Sequence, residues 1–268
     1  MSNDDIKFAG SIPAFYEQAL VPLIFTPYAE DTAARIAARA PRRILETAAG
    51  TGILTRALAR RLPEASLTAT DLNPAMLEVA RGLLPEGQRL VWQAADAMSL
   101  PLADGSFDCV ACQFGVMFFP DRVKGMAEAR RLLAPAGAFV FAVWDSLATN
   151  PIVAEIDAAL RSQYPADPPD FIGRIPHGYH DPARIEADVR AAGFSGVRIE
   201  TITHVARVPS ARAAAVAWCQ GTPMRSEIEA RGGPLDAVTD RVAEALERNR
   251  GTGPVESAIQ ALIVTAEG

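Results

Sequence analysis

The strongest constraint on the fold of this chain is a regular alternation of short apolar runs and amphipathic stretches between residues 43 and 144. "RRILETA", "SLTATDL", "RLVWQAADA", "SFDCVACQFG" and "GAFVFAVW" read as five strands. Helical patterns separate them. From Gly52 to about Leu62, Leu54, Leu58 and Leu62 fall on one face and Pro63 stops the helix. Asn73 and Pro74 then supply an N-cap and a first helical position for "PAMLEVARGLL", and Asp121 opens a further helix. Strands that alternate with helices form a parallel sheet with crossover helices on both faces.

The pattern breaks at Asp145. A Pro-rich stretch to Asp181 predicts one helix and a long loop, and long loops in compact domains often serve as lids. Asp181 and Pro182 start another helix, Gly193 ends it, and "SGVRIETI" gives strand six. Three short helices are expected between Ser210 and Arg250, forming a cap, with "AIQALIVTAE" as strand seven. The expected parts of one domain are an N-terminal helical flap (1–42), a cofactor-binding core (43–145) and a lid (146–181), then a crossover helix with strand six (182–209), a helical cap (210–254) and a final strand (255–268).

Composition narrows the class. The 268 residues are 49% hydrophobic and 22% charged, within the globular range. The net charge is −6, and no basic stripe is present to follow a nucleic-acid backbone, so nucleic acid is not an expected partner. No apolar run reaches membrane-spanning length and "MSNDDIKFAG" lacks the basic start of a signal peptide, so a cytoplasmic location is expected. Homo-oligomerisation stays open. Cys109 and Cys112 form a CxxC inside a strand, where they point to opposite faces and have no second ligand pair, so they read as buried thiols and no metal is expected.

Ligands of open α/β sheets sit at the carboxyl ends of the strands, near the point where strand order reverses. Acidic residues recur there: Glu46 ends strand one, Asp71 ends strand two, and Asp96 follows strand three. Between the first two lies the glycine turn "AAGTG", where Gly50 and Gly52 let backbone approach a ligand closely. An acidic residue about 20 positions beyond such a turn accepts ribose hydroxyls, which implies a nucleoside cofactor. A dinucleotide site would place a third glycine where Thr55 stands, and a mononucleotide loop would need a Lys that Ile53 and Leu54 replace. An NAD-dependent oxidoreductase is thereby disfavoured.

These residues resemble the class I S-adenosylmethionine-dependent methyltransferases. "ETAAGTG" is similar to their first motif, with Ala48 standing where a glycine is usual. "TATDLNPAML", "QAADAMSLPLADGSFDCV" and "RRLLAPAGAFVF" resemble the later motifs in order, over roughly residues 43 to 144. "LPLADGSFD" and "AAGFSGV" are similar to the branch that includes ubiquinone and menaquinone biosynthesis methyltransferases. The resemblance implies a Rossmann-like, seven-stranded, mostly parallel sheet whose last strand is antiparallel. It also implies S-adenosylmethionine as cofactor and a small-molecule methyl acceptor, expected to be apolar or aromatic. The alternative is a non-catalytic module that binds the same cofactor.

By the same resemblance, Glu46 would organise the methionine ammonium, while Ala48, Gly50 and Gly52 line the aminoacyl arm. Asp71 would take the ribose hydroxyls. Leu72 and Met76 would sandwich adenine, and Asp96 and the Ala97 backbone would read its edge. Gln113 and Phe114 would border the transferable methyl group. In the flap, Tyr16, Phe25 and Tyr28 are aromatic candidates, with Tyr28 assigned to the cofactor site. A catalytic base is not identified, and His177 and His180 in "PHGYHD" are the only candidates, with His204 read as a packing residue. "DPPD" at 167–170 lies beyond strand five and reads as a rigid loop.

Overall fold

The structure is a computed structural model that describes residues 12–87 and 89–268. The expectations for residues 1–11 of the flap lie outside them. The chain divides into two compact units, one comprising residues 26–144, 179–202 and 261–268, the other residues 145–178 and 203–260 with the segment up to Phe25.

In the first unit, the strands are β1 (Arg43–Glu46), β2 (Ser66–Asp71), β3 (Leu90–Ala94), β4 (Phe107–Gln113) and β5 (Leu133–Trp144). The seven-stranded sheet has the order β3-β2-β1-β4-β5-β7-β6, where β6 is Gly196–Val208 and β7 is Val255–Glu267. β1 to β5 pair in parallel, whereas β7 runs antiparallel to β5. Strand order reverses between β1 and β4, because the chain builds outward from β1 to β3 and returns on the other side. The expected fold class is observed. A parallel sheet covered on both faces needs near-continuous apolar strands, and β4 and the 137–144 stretch of β5 are buried almost throughout.

The connecting helices of this unit are α2 (Thr26–Ala37), α3 (Ile53–Arg61), α4 (Pro74–Leu83), α5 (Arg122–Leu132) and α8 (Pro182–Ala191). Their starts follow the sequence. Asn73 accepts from the Ala75 amide, Asp121 from Lys124 and Asp181 from Ala183, so each cap satisfies an otherwise orphaned first-turn donor. α3 is different. Its N-cap is Gly52 in a left-handed conformation, with no side chain on the helix end.

The second unit holds α1 (Ile12–Ala19), a π-helical turn at Val21–Phe25, α6 (Pro151–Gln163), a short α7 (Phe171–Arg174), α9 (Ala211–Gln220), α10 (Met224–Ala230) and α11 (Leu235–Arg250). The 145–181 stretch is more helical than its prolines suggest, since Pro151 occupies the first turn of α6, where a missing N–H is harmless. α11 has 16 residues, longer than the short helices expected there. Buried Asn150 staples this unit together: its amide donates to the Ser146 carbonyl (2.9 Å) and the Gln260 carbonyl (3.2 Å), and its own oxygen accepts from Gln260 N (2.9 Å). The expected flap is divided by this partition. α1, Tyr16 and Phe25 belong to the second unit, where those two rings pack 5.2 Å apart, and α2 with Tyr28 belongs to the first.

Candidate cofactor site

The strand register places the candidate residues in a symmetrical staircase. Glu46 pairs with Ala69 on β2 and with Ala111 on β4. Asp71 and Gln113 lie two residues beyond these partners. Asp71 in turn pairs with Ala94 and Gln113 with Ala142, and Asp96 and Trp144 again lie two residues further along. A step of two returns a strand side chain to the same face. Glu46 therefore sits at the bottom of a V, with Asp71 rising on one side and Gln113 and Trp144 on the other. Trp144, which ends β5, belongs to this rim and was not singled out by sequence. Its one signal was its place as the last apolar residue of the fifth strand.

Glu46 is 3% exposed, and among the described residues the Thr55 hydroxyl donates to it, 2.5 Å from Oε2. Burial drives its pKa up to about 8; Thr55 and the Arg56 charge oppose the rise, and nearby Asp71 adds to it. The Arg56 guanidinium donates to the Thr51 carbonyl (2.7 Å). Asp71 accepts from the backbone amides of Gly50 and Asn73, one at each carboxylate oxygen and both at 2.8 Å. Burial raises its pKa as well, against the pull of those two amides.

The turn between the acids is shaped by its backbone. Gly50 and Gly52 have φ of +57° and +82°, in the left-handed region open to glycine. Among the described residues, a Cβ on Gly50 would meet nothing within 4 Å, whereas one on Gly52 would come within 2.5 Å of the Trp92 ring. Ala48 also has a left-handed φ, +51°. Its methyl group lies where a Cβ on Gly115 would come within 2.5 Å, so Gly115 provides the room that the alanine uses.

On the adenine side, Leu72 is exposed (56%) and Met76 is buried in α4. Asp96 and Ala97 are half-buried, and one Asp96 oxygen accepts from Met98 N (2.8 Å). On the other side, Phe114 follows Gln113 with φ of +55° and stacks on Trp144, centroids 4.0 Å apart. Tyr28 sets its edge against both rings at 5.3 and 5.4 Å, and its hydroxyl donates to the Ile202 carbonyl (3.0 Å). Tyr28 is fully buried, so its ring and hydroxyl are core elements of the free protein.

The base candidates separate. His177 is buried in the second unit, and its Nδ1 lies 2.6 Å from the Asp145 carbonyl, which fixes the hydrogen on Nδ1. His180 belongs to the first unit and is half-buried. Cys109 and Cys112 are buried with thiols pushed up to about 12 by desolvation, the state of inert core cysteines. Among the described residues, no three His, Cys, Asp or Glu side chains are grouped to hold a metal, and no helix is long and apolar enough to cross a membrane.

A buried carboxyl at Glu46, a half-buried one at Asp71 and a glycine N-cap on α3 suit a ligand with an ammonium, ribose hydroxyls and an anionic end, without phosphate charges beside the acids. This is the class of open α/β proteins that bind a nucleoside-containing cofactor at the switch point. Comparison with known proteins narrows it. A family model described as a methyltransferase domain matches residues 45–141. A demethylmenaquinone methyltransferase of Clavibacter sepedonicus is 30% identical over 181 residues, covering 64% of this chain and 73% of that protein. One of Deinococcus radiodurans is 39% identical over 109 residues, or 40% of this chain and 45% of that protein. Among solved structures, phosphoethanolamine N-methyltransferase 2 of Haemonchus contortus in complex with S-adenosyl-L-methionine matches the fold with a TM-score of 0.61. That match has 15% identity and covers 100% of this chain and 60% of that one. The chain belongs to the class I S-adenosylmethionine-dependent methyltransferases. It spans about half the length of several curated relatives that it matches.

Proposed function

We propose that the protein transfers a methyl group from S-adenosylmethionine to a small-molecule acceptor, with a quinone-like or other apolar aromatic compound as the favoured class. The cofactor supplies an electrophilic methyl group on a sulfonium, so the chain's own task is to bind, align and exclude water. The observation that carries the reading is the staircase of Glu46, Asp71 and Asp96 around the glycine turn, with a buried carboxyl at its base that accepts from the Thr55 hydroxyl.

In this reading Glu46 holds the methionine ammonium, and the first-turn amides of α3 face the carboxylate end, favoured by the helix dipole. Asp71 accepts from the ribose hydroxyls with lone pairs not used by Gly50 and Asn73. Asp96 and the Ala97 backbone read the adenine edge, and Leu72 covers one ring face. Gln113 and the Phe114–Trp144 stack border the methyl group. The names of the quinone-methylating relatives and this aromatic rim support the acceptor class. Pyrophosphate beside the Asp71 carboxylate would be repelled, which disfavours NAD.

The test compares S-adenosylhomocysteine with 5′-methylthioadenosine, which keeps the nucleoside and lacks the amino acid, by calorimetric titration. Asp71→Ala should weaken both ligands by about 1–3 kcal/mol through lost charged hydrogen bonds. Glu46→Gln should weaken only S-adenosylhomocysteine. Saturable NAD binding in place of the sulfur nucleosides would overturn the assignment. Turnover is then sought with a panel of hydroquinones and phenols.

A further inference from the structure

One of the buried polar side chains beside the staircase donates to the acid at its base. Thr55 occupies the first turn of α3, is 1% exposed, and stands where a phosphate-binding loop would place its third glycine. We infer that Thr55 is a positioning residue, whose hydroxyl holds the Glu46 carboxyl in the orientation that receives the cofactor's amino group. The inference rests on the cofactor reading above and assigns Thr55 a part in it.

The geometry is specific. The Thr55 hydroxyl is 2.5 Å from Glu46 Oε2, and it is the side-chain donor to that carboxyl among the described residues. A β-branched residue in a helix has few χ1 choices, so the donor is fixed before any ligand arrives. With Oε2 taken by the hydroxyl, Oε1 is the oxygen that carries the acid proton or accepts from an ammonium. The groups that act electrostatically on Glu46 are the Arg56 cation, which weakly favours its charged form, and Asp71, which opposes it. Thr55 is thus the principal hydrogen-bonding support for the carboxylate.

This arrangement defines a proton balance. Near neutral pH the buried Glu46 is largely the neutral acid. When a ligand ammonium arrives, the acid gives its proton to the solvent and the resulting carboxylate accepts from the ammonium. One proton leaves for each ammonium bound, in the fraction of molecules that were protonated. Removing the Thr55 hydroxyl makes that ionisation harder and leaves binding of an amine-free nucleoside alone.

The experiment is titration of the full chain with S-adenosylhomocysteine and 5′-methylthioadenosine between pH 6 and 9, in buffers of different ionisation enthalpy, for the wild type, Thr55→Val and Thr55→Ser. Thr55→Val should weaken S-adenosylhomocysteine at pH 7 by about 10- to 100-fold, the scale of one hydrogen bond to a charged group. It should also move the pH midpoint of binding upward and leave 5′-methylthioadenosine within about twofold of wild type. Thr55→Ser should restore the wild-type profile. Equal losses for both ligands, or an unmoved midpoint, would overturn the inference.

A second arm is independent of any cofactor: a carbon-13 NMR titration of Glu46 in the free protein, where Thr55→Val should raise the Glu46 midpoint and Thr55→Ser should not. If the wild type binds neither nucleoside, the cofactor reading fails while this arm still decides whether Thr55 governs Glu46. Should Thr55→Val fail to fold, Thr55→Cys, with its weaker donor, should give shifts of the same sign and smaller size; none would refute the proposal.

Discussion

Gly115→Ala offers the sharpest check on how the glycine turn is built. A methyl group at residue 115 would lie 2.5 Å from the Ala48 Cβ and 2.6 Å from the Cys112 sulfur. Carbon atoms prefer separations of about 3.5–4.0 Å, so the first contact is about 1 Å too close. The sulfur can rotate away, but a Cβ is fixed by its backbone. Overpacking of this kind costs about 1–3 kcal/mol.

Ala48→Gly should behave in the opposite way. It relieves a left-handed alanine, worth about 1–2 kcal/mol, against about 0.4–1 kcal/mol of added unfolded-chain entropy. The net effect should be neutral to mildly stabilising. In the double variant the Cβ clash is gone and only the adjustable sulfur contact remains. Most of the loss from Gly115→Ala should then be recovered, giving a coupling energy of about 1–2 kcal/mol in urea denaturation, well above the scatter for independent sites. Strict additivity of the two substitutions would refute the steric account and leave the alanine at position 48 without a structural partner.

Two further outcomes follow. Glu46 is raised from 4.5 to about 8 in the folded protein, so between those values the folded state binds the extra proton and stability falls as pH rises. The contribution is present in full below the unfolded value and lost through pH 8. Thermal unfolding from pH 5 to 8.5 should show a slope amounting to a few kcal/mol, most of it absent in Glu46→Gln; a flat wild-type profile would contradict the burial of a neutral acid. Tyr28→Phe removes the donor to Ile202 and should cost about 0.5–1.5 kcal/mol of stability with cofactor affinity unchanged. A large loss of affinity would mean that the hydroxyl leaves the core to meet the ligand.

The order of strands and helices was legible because each strand carries a local apolar signature and each early helix a local cap. Asn73, Asp121 and Asp181 act where the sequence put them. The acids at the strand ends could be marked, but their two-residue steps could not, since register depends on pairing between strands. β6 runs on through "THVARV" beyond its expected end. Alternating β-branched residues there continue the strand pattern, and no turn residue intervenes before Pro209. α6 supplies the one helix expected in the Pro-rich stretch, and the four-residue α7 was hidden in its expected loop because so short a turn carries no periodic apolar signal. The pairing of Ala48 with Gly115 was hidden for a different reason. Two residues far apart in sequence exchange one methyl group's worth of space, and neither is unusual alone.

The two amides held by Asp71 have a dynamic meaning. Both bonds are made within the protein itself, so the chain around Gly50 is tied to the end of β2. Fixing a residue's backbone costs about 1–2 kcal/mol, and for this turn that cost is met when the protein folds. A ligand that approaches Gly50 then meets a turn already held to β2, and the cost of ordering that turn is not drawn from its binding energy.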